Sequence, residues 1–167
     1  MRANVLTYLD ENANRIPGNV AIWDDGNEIT YKQYRNKALA VAEKIMELGI
    51  SKQPVVVYIK KSAKVLIAFA GVGYSRNFYS PIDVEMPESR VDKIFETLNP
   101  ALVITTSDLT DRLSGFGYSG PVLFYDDIAD GPENEAAVIN VQSKIIDTDL
   151  LYVLFTSGST GVPKGVG

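Results

Sequence analysis

The residues best equipped for chemistry stand at the end of the chain. There an apolar run gives way to Thr156-Ser157-Gly158-Ser159-Thr160-Gly161-Val162-Pro163-Lys164-Gly165. Six successive small or hydroxylated residues make poor core and poor helix, but they suit an anion. Glycines let consecutive amides turn inward at close range, so that N–H dipoles form a concave nest. The hydroxyls of Thr156, Ser157, Ser159 and Thr160 add donors, and Lys164 adds a compact positive charge that can reach a phosphate oxygen. An ordinary solvated loop has the same composition, so residue types alone leave both readings open. The Walker A pattern G-x-x-x-x-G-K-[ST] does not fit. Counting from Gly158, Pro163 stands where glycine is required and Gly165 where the magnesium-binding hydroxyl would be. As a phosphate loop, it is one of another kind.

Composition removes most alternatives. The 167 residues include no His and no Cys. Ser-His-Asp hydrolysis, Cys-His proteolysis, His-based or thiolate zinc sites and disulfides are therefore excluded within this chain. Backbone amides, hydroxyls, carboxylates and lysine remain. Sixteen Lys and Arg against 21 Asp and Glu give a net charge of −5, which argues against a broad nucleic-acid or anionic-lipid face. The first residues carry Arg2, Asp10, Glu11 and Arg15 and lack the apolar stretch of a signal peptide. The longest apolar run, Val65 to Tyr74, is far shorter than the roughly 20 residues that span a bilayer. The expectation is a cytoplasmic protein with no nucleic-acid and no membrane partner.

Other candidates are weaker. Gly115 to Gly120 matches G-x-G-x-x-G, but a short helix precedes it and Pro121 with a strand follows, the reverse of the dinucleotide fingerprint. Gly71 and Gly73 fail because Arg76 takes the place of the third glycine. Asp24-Asp25 and Asp126-Asp127 fit turns better than an acid–base pair. Lys60-Lys61-x-x-Lys64 fits a solvated cap. No metal-ligating set is visible.

Elements that would position the loop can be read from the spacing of apolar residues. Val5, Leu6, Leu9 and Ala13 predict a first helix ended by Pro17-Gly18. A hairpin follows, with Val20 to Trp23 and Glu28 to Thr30 flanking Asp24-Asp25-Gly26-Asn27. Thr30 and Gln33 have the spacing of a capping box, and Gly49 closes the helix it opens. From there strands and helices alternate. Strands are predicted at 55–59, 78–82, 101–105 and 122–125, and a last buried strand at 150–155. Helices are predicted from Ser62 to about Tyr74, from Pro87 at the first helical position, and near 108–113. Residues 126–147 read as a polar surface excursion. The fold class expected is α/β, with a mostly parallel sheet flanked by helices and an N-terminal β-hairpin.

Leu154 to Val166, LFTSGSTGVPKGV, resembles the signature phosphate loop of adenylate-forming enzymes. That family includes nonribosomal peptide synthetase adenylation domains, carrier-protein amino-acid ligases and acyl-CoA synthetases. Two further family motifs lie in order, Ile29-Thr30-Tyr31-Lys32-Gln33-Tyr34 and Tyr79-Ser80-Pro81-Ile82-Asp83 followed by Pro87-x-x-Arg90. Gln33 replaces the usual Glu, and Arg76 stands where the family usually has Gly. The resemblance implies the first subdomain of the adenylate-forming fold. It also implies a ligase that uses ATP with Mg2+ to make an acyl adenylate and pyrophosphate, then passes the acyl group to a thiol. Thr156, Ser157, Gly158, Ser159, Thr160, Gly161 and Lys164 would hold the ATP phosphates. The substrate would be a carboxylic acid, with an amino acid favoured by Asp83-x-x-x-Pro87-x-x-Arg90. The acceptor would be a carrier-protein phosphopantetheine or CoA. Residues 1–167 would be the opening part of an AMP-binding domain, truncated after this loop. Its adenine and ribose contacts and its catalytic lysine would lie in a missing C-terminal remainder, so the chain alone is expected to be inactive. An acyl-CoA synthetase fragment and a non-catalytic phosphate-binding module are the alternatives.

Overall fold

Residues 5–146, 148–156 and 164–167 are described by the computed structural model. Helix α1 (Val5–Arg15) buries Leu6, Leu9 and Ala13, and β1 (Val20–Asp24) pairs antiparallel with β2 (Asn27–Thr30). Their tight turn is Asp25-Gly26, both at positive φ, the backbone that matches strand twist in a two-residue hairpin. Thr30 caps α2 (Tyr31–Glu47) with the expected capping box, and Gly49 sits past its end at φ 69°.

Four parallel strands form the central sheet: β3 (Pro54–Tyr58), β4 (Phe78–Pro81), β5 (Leu102–Thr105) and β6 (Val122–Phe124), in the order β4-β3-β5-β6. β4 lies on one side of β3 and β5 on the other, so successive crossovers fall on opposite faces. Helix α3 (Ala63–Tyr74) joins α1 and α2 over Val55 and Val57. Helix α4 (Glu88–Leu98) and the short α5 (Thr110–Ser114) cover Val56 and Tyr58. The Gly115–Gly120 segment falls between α5 and β6, so the reversed polarity expected for that decoy is present.

Three details differ from expectation. Ser62 precedes α3 but its hydroxyl donates to the Lys60 carbonyl at 2.9 Å. The Asp24 carboxylate accepts from the Ala63 amide at 2.8 Å instead, a cap from the hairpin that local spacing could not reveal. Pro87 occupies the N-cap of α4 rather than its first turn, with ψ 137°. The polar excursion holds a further helix, α6 (Glu135–Gln142), whose Val138 is fully buried beside α2. Its apolar periodicity is weak, and polar contacts anchor it. Asp10 on α1 accepts from Arg35 Nε at 2.7 Å, from the Tyr74 hydroxyl at 2.9 Å and from Gln142 Nε2 at 2.5 Å. Arg35 also reaches Glu135 at 2.7 Å. Burial, then the Asp10 charge, pushes the Tyr74 hydroxyl far above its ordinary pKa.

Gly71 has a packing role. A Cβ there would lie 2.5 Å from Val41 Cβ and 2.9 Å from the Ala38 carbonyl, where α3 crosses α2. A Gly71→Ala change gains about 1 kcal/mol of helix propensity, against about 1–3 kcal/mol for overpacking a contact made partly by backbone. Overpacking wins, so we expect a lower urea midpoint for Gly71→Ala. Gly18→Ala, which meets nothing within 4 Å, serves as the control.

Candidate phosphate-binding site

The chain adds one more parallel contact beyond the four-stranded sheet. The Tyr79 amide donates to the Leu151 carbonyl at 3.1 Å, and the Val153 amide to the Tyr79 carbonyl at 2.9 Å. Tyr152 is thereby bridged to Tyr79 at the outer edge of β4. The Tyr79 ring stacks on Phe69 at 4.0 Å and lies 5.9 Å from Tyr152. The chain then enters β7 (Leu154–Thr156), which pairs antiparallel with β8 (Lys164–Val166).

The last strand is therefore not buried as expected. Leu151, Val153 and Phe155 are half-buried, whereas Leu150, Tyr152, Leu154 and Thr156 are exposed. An apolar run shows that a strand can be covered on both faces, but not that it is. Gly165 faces Phe155, and a Cβ there would come within 2.9 Å of Val153 Cγ1. A side chain at Gly165 would crowd Val153.

Thr156 is paired directly with Lys164 at the mouth of this hairpin, and both are exposed. Opposed residues in an antiparallel pair project to the same face with Cβ atoms about 4.5–5.5 Å apart. The two side chains thus leave the hairpin on one face. Ser157, Gly158, Ser159, Thr160 and Gly161 lie outside the described residues.

The position where doubly wound sheets commonly bind ligands is filled by this chain's own groups. That crevice lies outside the carboxyl ends of the strands where the strand order reverses, here between β3 and β5. Lys60 spans it to Asp108 at 2.6 Å, Lys64 reaches Asp126 at 2.6 Å, and Lys61 lies 3.5 Å from Asp83. The run read as a solvated cap is exposed but paired. Lys60 and then the Thr106 hydroxyl hold the Asp108 carboxyl below the usual carboxylate range. Lys64 and the Ser107 amide do so for Asp126. The Glu85 amide, with Lys61, does so for Asp83.

The two other sequence motifs converge near the bridge. Tyr31, Tyr34 and Tyr79 line an apolar cavity of about 370 Å3 together with Leu66, Phe69 and Leu151. The Tyr34 hydroxyl donates to the Leu66 carbonyl at 3.1 Å, and burial, aided by Tyr79, pushes it up to about 12. Sequence spacing named these tyrosines but not their meeting, which depends on how α3 packs between α2 and β4.

The family model described as "AMP-binding enzyme" matches residues 9–167. The chain belongs to that family. Tyrocidine synthase 1 of Brevibacillus parabrevis is 33% identical over 163 residues, covering 97% of this chain and 15% of that protein. The D-alanine–D-alanyl carrier protein ligase of Listeria innocua serovar 6a is 32% identical over 169 residues, covering 99% of this chain and 33% of that protein. The chain thus spans a third or less of the length of these AMP-binding relatives. Among solved structures, the nonribosomal peptide synthetase FmoA3 in its alpha-methyl-L-serine-AMP bound form superposes with a TM-score of 0.82 at 24% identity. That match covers 99% of this chain and 18% of the other. The N-terminal subdomain of Klebsiella oxytoca NpsA gives 0.80 at 23%, covering 99% and 41%. These likenesses show the fold: the first subdomain of an adenylate-forming enzyme.

Among the described residues no group of three or more Asp, Glu, His or Cys could hold a metal ion, and no helix is long and apolar enough to cross a membrane.

The paired carboxylates give a pH dependence whose sign is fixed. Their folded pKa values lie below the unfolded value of about 3.9, so their contribution is complete above that value and is lost as pH falls through the folded values. Urea midpoints should hold between pH 7 and 5 and decline toward pH 3, and Asp126→Asn should flatten part of that decline.

Proposed function

We propose that these residues are the amino-terminal portion of an adenylation domain that activates an amino acid with ATP. A substrate carboxylate oxygen bonds to the α-phosphorus, and the bond from that phosphorus to the bridging oxygen breaks. Pyrophosphate departs with the electron pair and an acyl adenylate remains. A thiol, that of a carrier-protein phosphopantetheine, then attacks the acyl carbon and AMP leaves. Thr156, Ser157, Gly158, Ser159, Thr160 and Gly161 hold the β- and γ-phosphates. Lys164 meets the negative charge that grows on pyrophosphate as the bond breaks, the kind of interaction that lowers a barrier rather than merely binding substrate.

The observation that carries this reading is the pairing of Thr156 with Lys164 at the mouth of β7 and β8 in a chain of the AMP-binding family. The amino-acid branch is supported by more than 30% identity to tyrocidine synthase 1 and to the carrier-protein ligase named for D-alanine. Magnesium would arrive on the nucleotide, because no carboxylate set stands at the hairpin mouth among the described residues. A cytoplasmic setting, where ATP is available, suits this chemistry.

Titration calorimetry with pyrophosphate at low ionic strength tests the phosphate role on this chain itself. A charge-assisted hydrogen bond of about 1.5–3 kcal/mol predicts affinity lost roughly 10- to 150-fold in Lys164→Ala. Equal affinity would contradict the role. In a longer protein that carries this domain, the same change should slow acyl-adenylate formation and leave transfer to the thiol nearly unaltered.

A further inference from the structure

Two basic residues outside the phosphate site have an unusual backbone and a common target. Lys52 and Arg76 adopt φ of 56° and 60°, the left-handed region that side chains other than glycine rarely enter. They are joined, since the Lys52 amide donates to the Arg76 carbonyl at 2.7 Å. They sit just before β3 and β4, at the amino ends of adjacent parallel strands. Both side chains turn to one carboxylate. Lys52 Nζ lies 2.6 Å from Asp149 Oδ1, and Arg76 Nε lies 3.2 Å from Asp149 Oδ2. That oxygen also accepts from the Ile146 amide at 3.2 Å, and the Asp149 side chain is only 11% exposed.

Asp149 opens the segment that runs past Tyr79 into β7. Between this carboxylate and the hairpin, the described ladder to β4 is the pair of hydrogen bonds around Tyr79. Two bonds define a register weakly. A one-residue slip would exchange the faces of the whole strand, turning Leu151, Val153 and Phe155 outward and Thr156 inward. Lys164, paired with Thr156, would turn with it. Strained backbone persists only where its surroundings over-determine it, and here the surroundings fix one carboxylate at the start of that strand.

We propose that Asp149, gripped by Lys52 and Arg76, is a positioning residue. It sets the register of residues 150–156 against β4 and thereby the face on which Thr156 and Lys164 meet phosphate. The phosphate half of this inference rests on the function proposed above, whereas the register half stands on the geometry alone.

Arg76→Gly is the informative variant, because glycine takes positive φ freely and the change removes the tether without adding strain. In this chain, amide exchange at Val153 should quicken at least about tenfold while the helices of the core keep their protection. If the competent register falls to about a fifth of the population, pyrophosphate affinity falls about fivefold. Asp149→Asn should behave alike, and Arg76→Lys, which keeps a cation within reach, should restore most of the Val153 protection. Unchanged Val153 exchange in both Arg76→Gly and Asp149→Asn would overturn the proposal. So would quickened exchange with undiminished pyrophosphate affinity. If the unaltered chain binds no pyrophosphate, the phosphate reading fails on its own, and the Val153 exchange still decides whether the clamp sets register.

Discussion

Strand β3 is hydrogen-bonded to a parallel neighbour on each side, and its residues from Val55 to Tyr58 are at most 2% exposed. That burial orders everything around it. Val55 and Val57 point to the core under α2 and α3, whereas Val56 and Tyr58 point to the core under α4. With β4 and β5 on opposite sides of β3, one crossover helix must lie on each face. The outer edge of β4 is left open, and the chain returns to that edge at residues 151–153 before it forms the terminal hairpin. The position of Thr156 and Lys164 is thus a consequence of strand order.

The distribution of charge follows from the same frame. A helix N-terminus at the carboxyl end of the first strand of such a sheet is a natural seat for phosphate. Here the first amide of α3 is taken by Asp24, and the crevice beside it is bridged by Lys60 and Asp108. The chain supplies its own anions there. Among the described residues no carboxylate pairs with Lys164 at the hairpin mouth, and Thr156 and Lys164 are both exposed. Under the proposed function, an acidic chain offers a local site for a polyanion without a broad basic face.

Much of this was legible in the residues. The capping box at Thr30 and Gln33, the continuous valines of β3 and the alternation of strand and helix each follow from local chemistry, and each is present. The family followed from the terminal motif. What local reading missed was held by groups distant in sequence. Helix α6 is fixed by Arg35 and Gln142 through Asp10, α3 is capped from the hairpin by Asp24, and Asp149 is gripped by residues 73 and 97 positions earlier. Arg76 was legible only as a departure from a glycine. Its positive φ explains why glycine suits the position, and its guanidinium gives this chain a contact that glycine lacks. The last strand, expected to be buried over 150–155, exposes one face because apolar sequence marks a capacity for burial and not its extent.

Backbone amide shifts of isotope-labelled protein, followed as pyrophosphate is added, test the phosphate role most directly. Saturable shifts should concentrate at Thr156, Lys164 and their hairpin neighbours, and in Lys164→Ala they should need roughly 10- to 150-fold more pyrophosphate. Shifts concentrated instead at Lys60, Ala63 and Lys64 would place the anion at the carboxyl edge of the sheet and would contradict the assignment of the terminal hairpin.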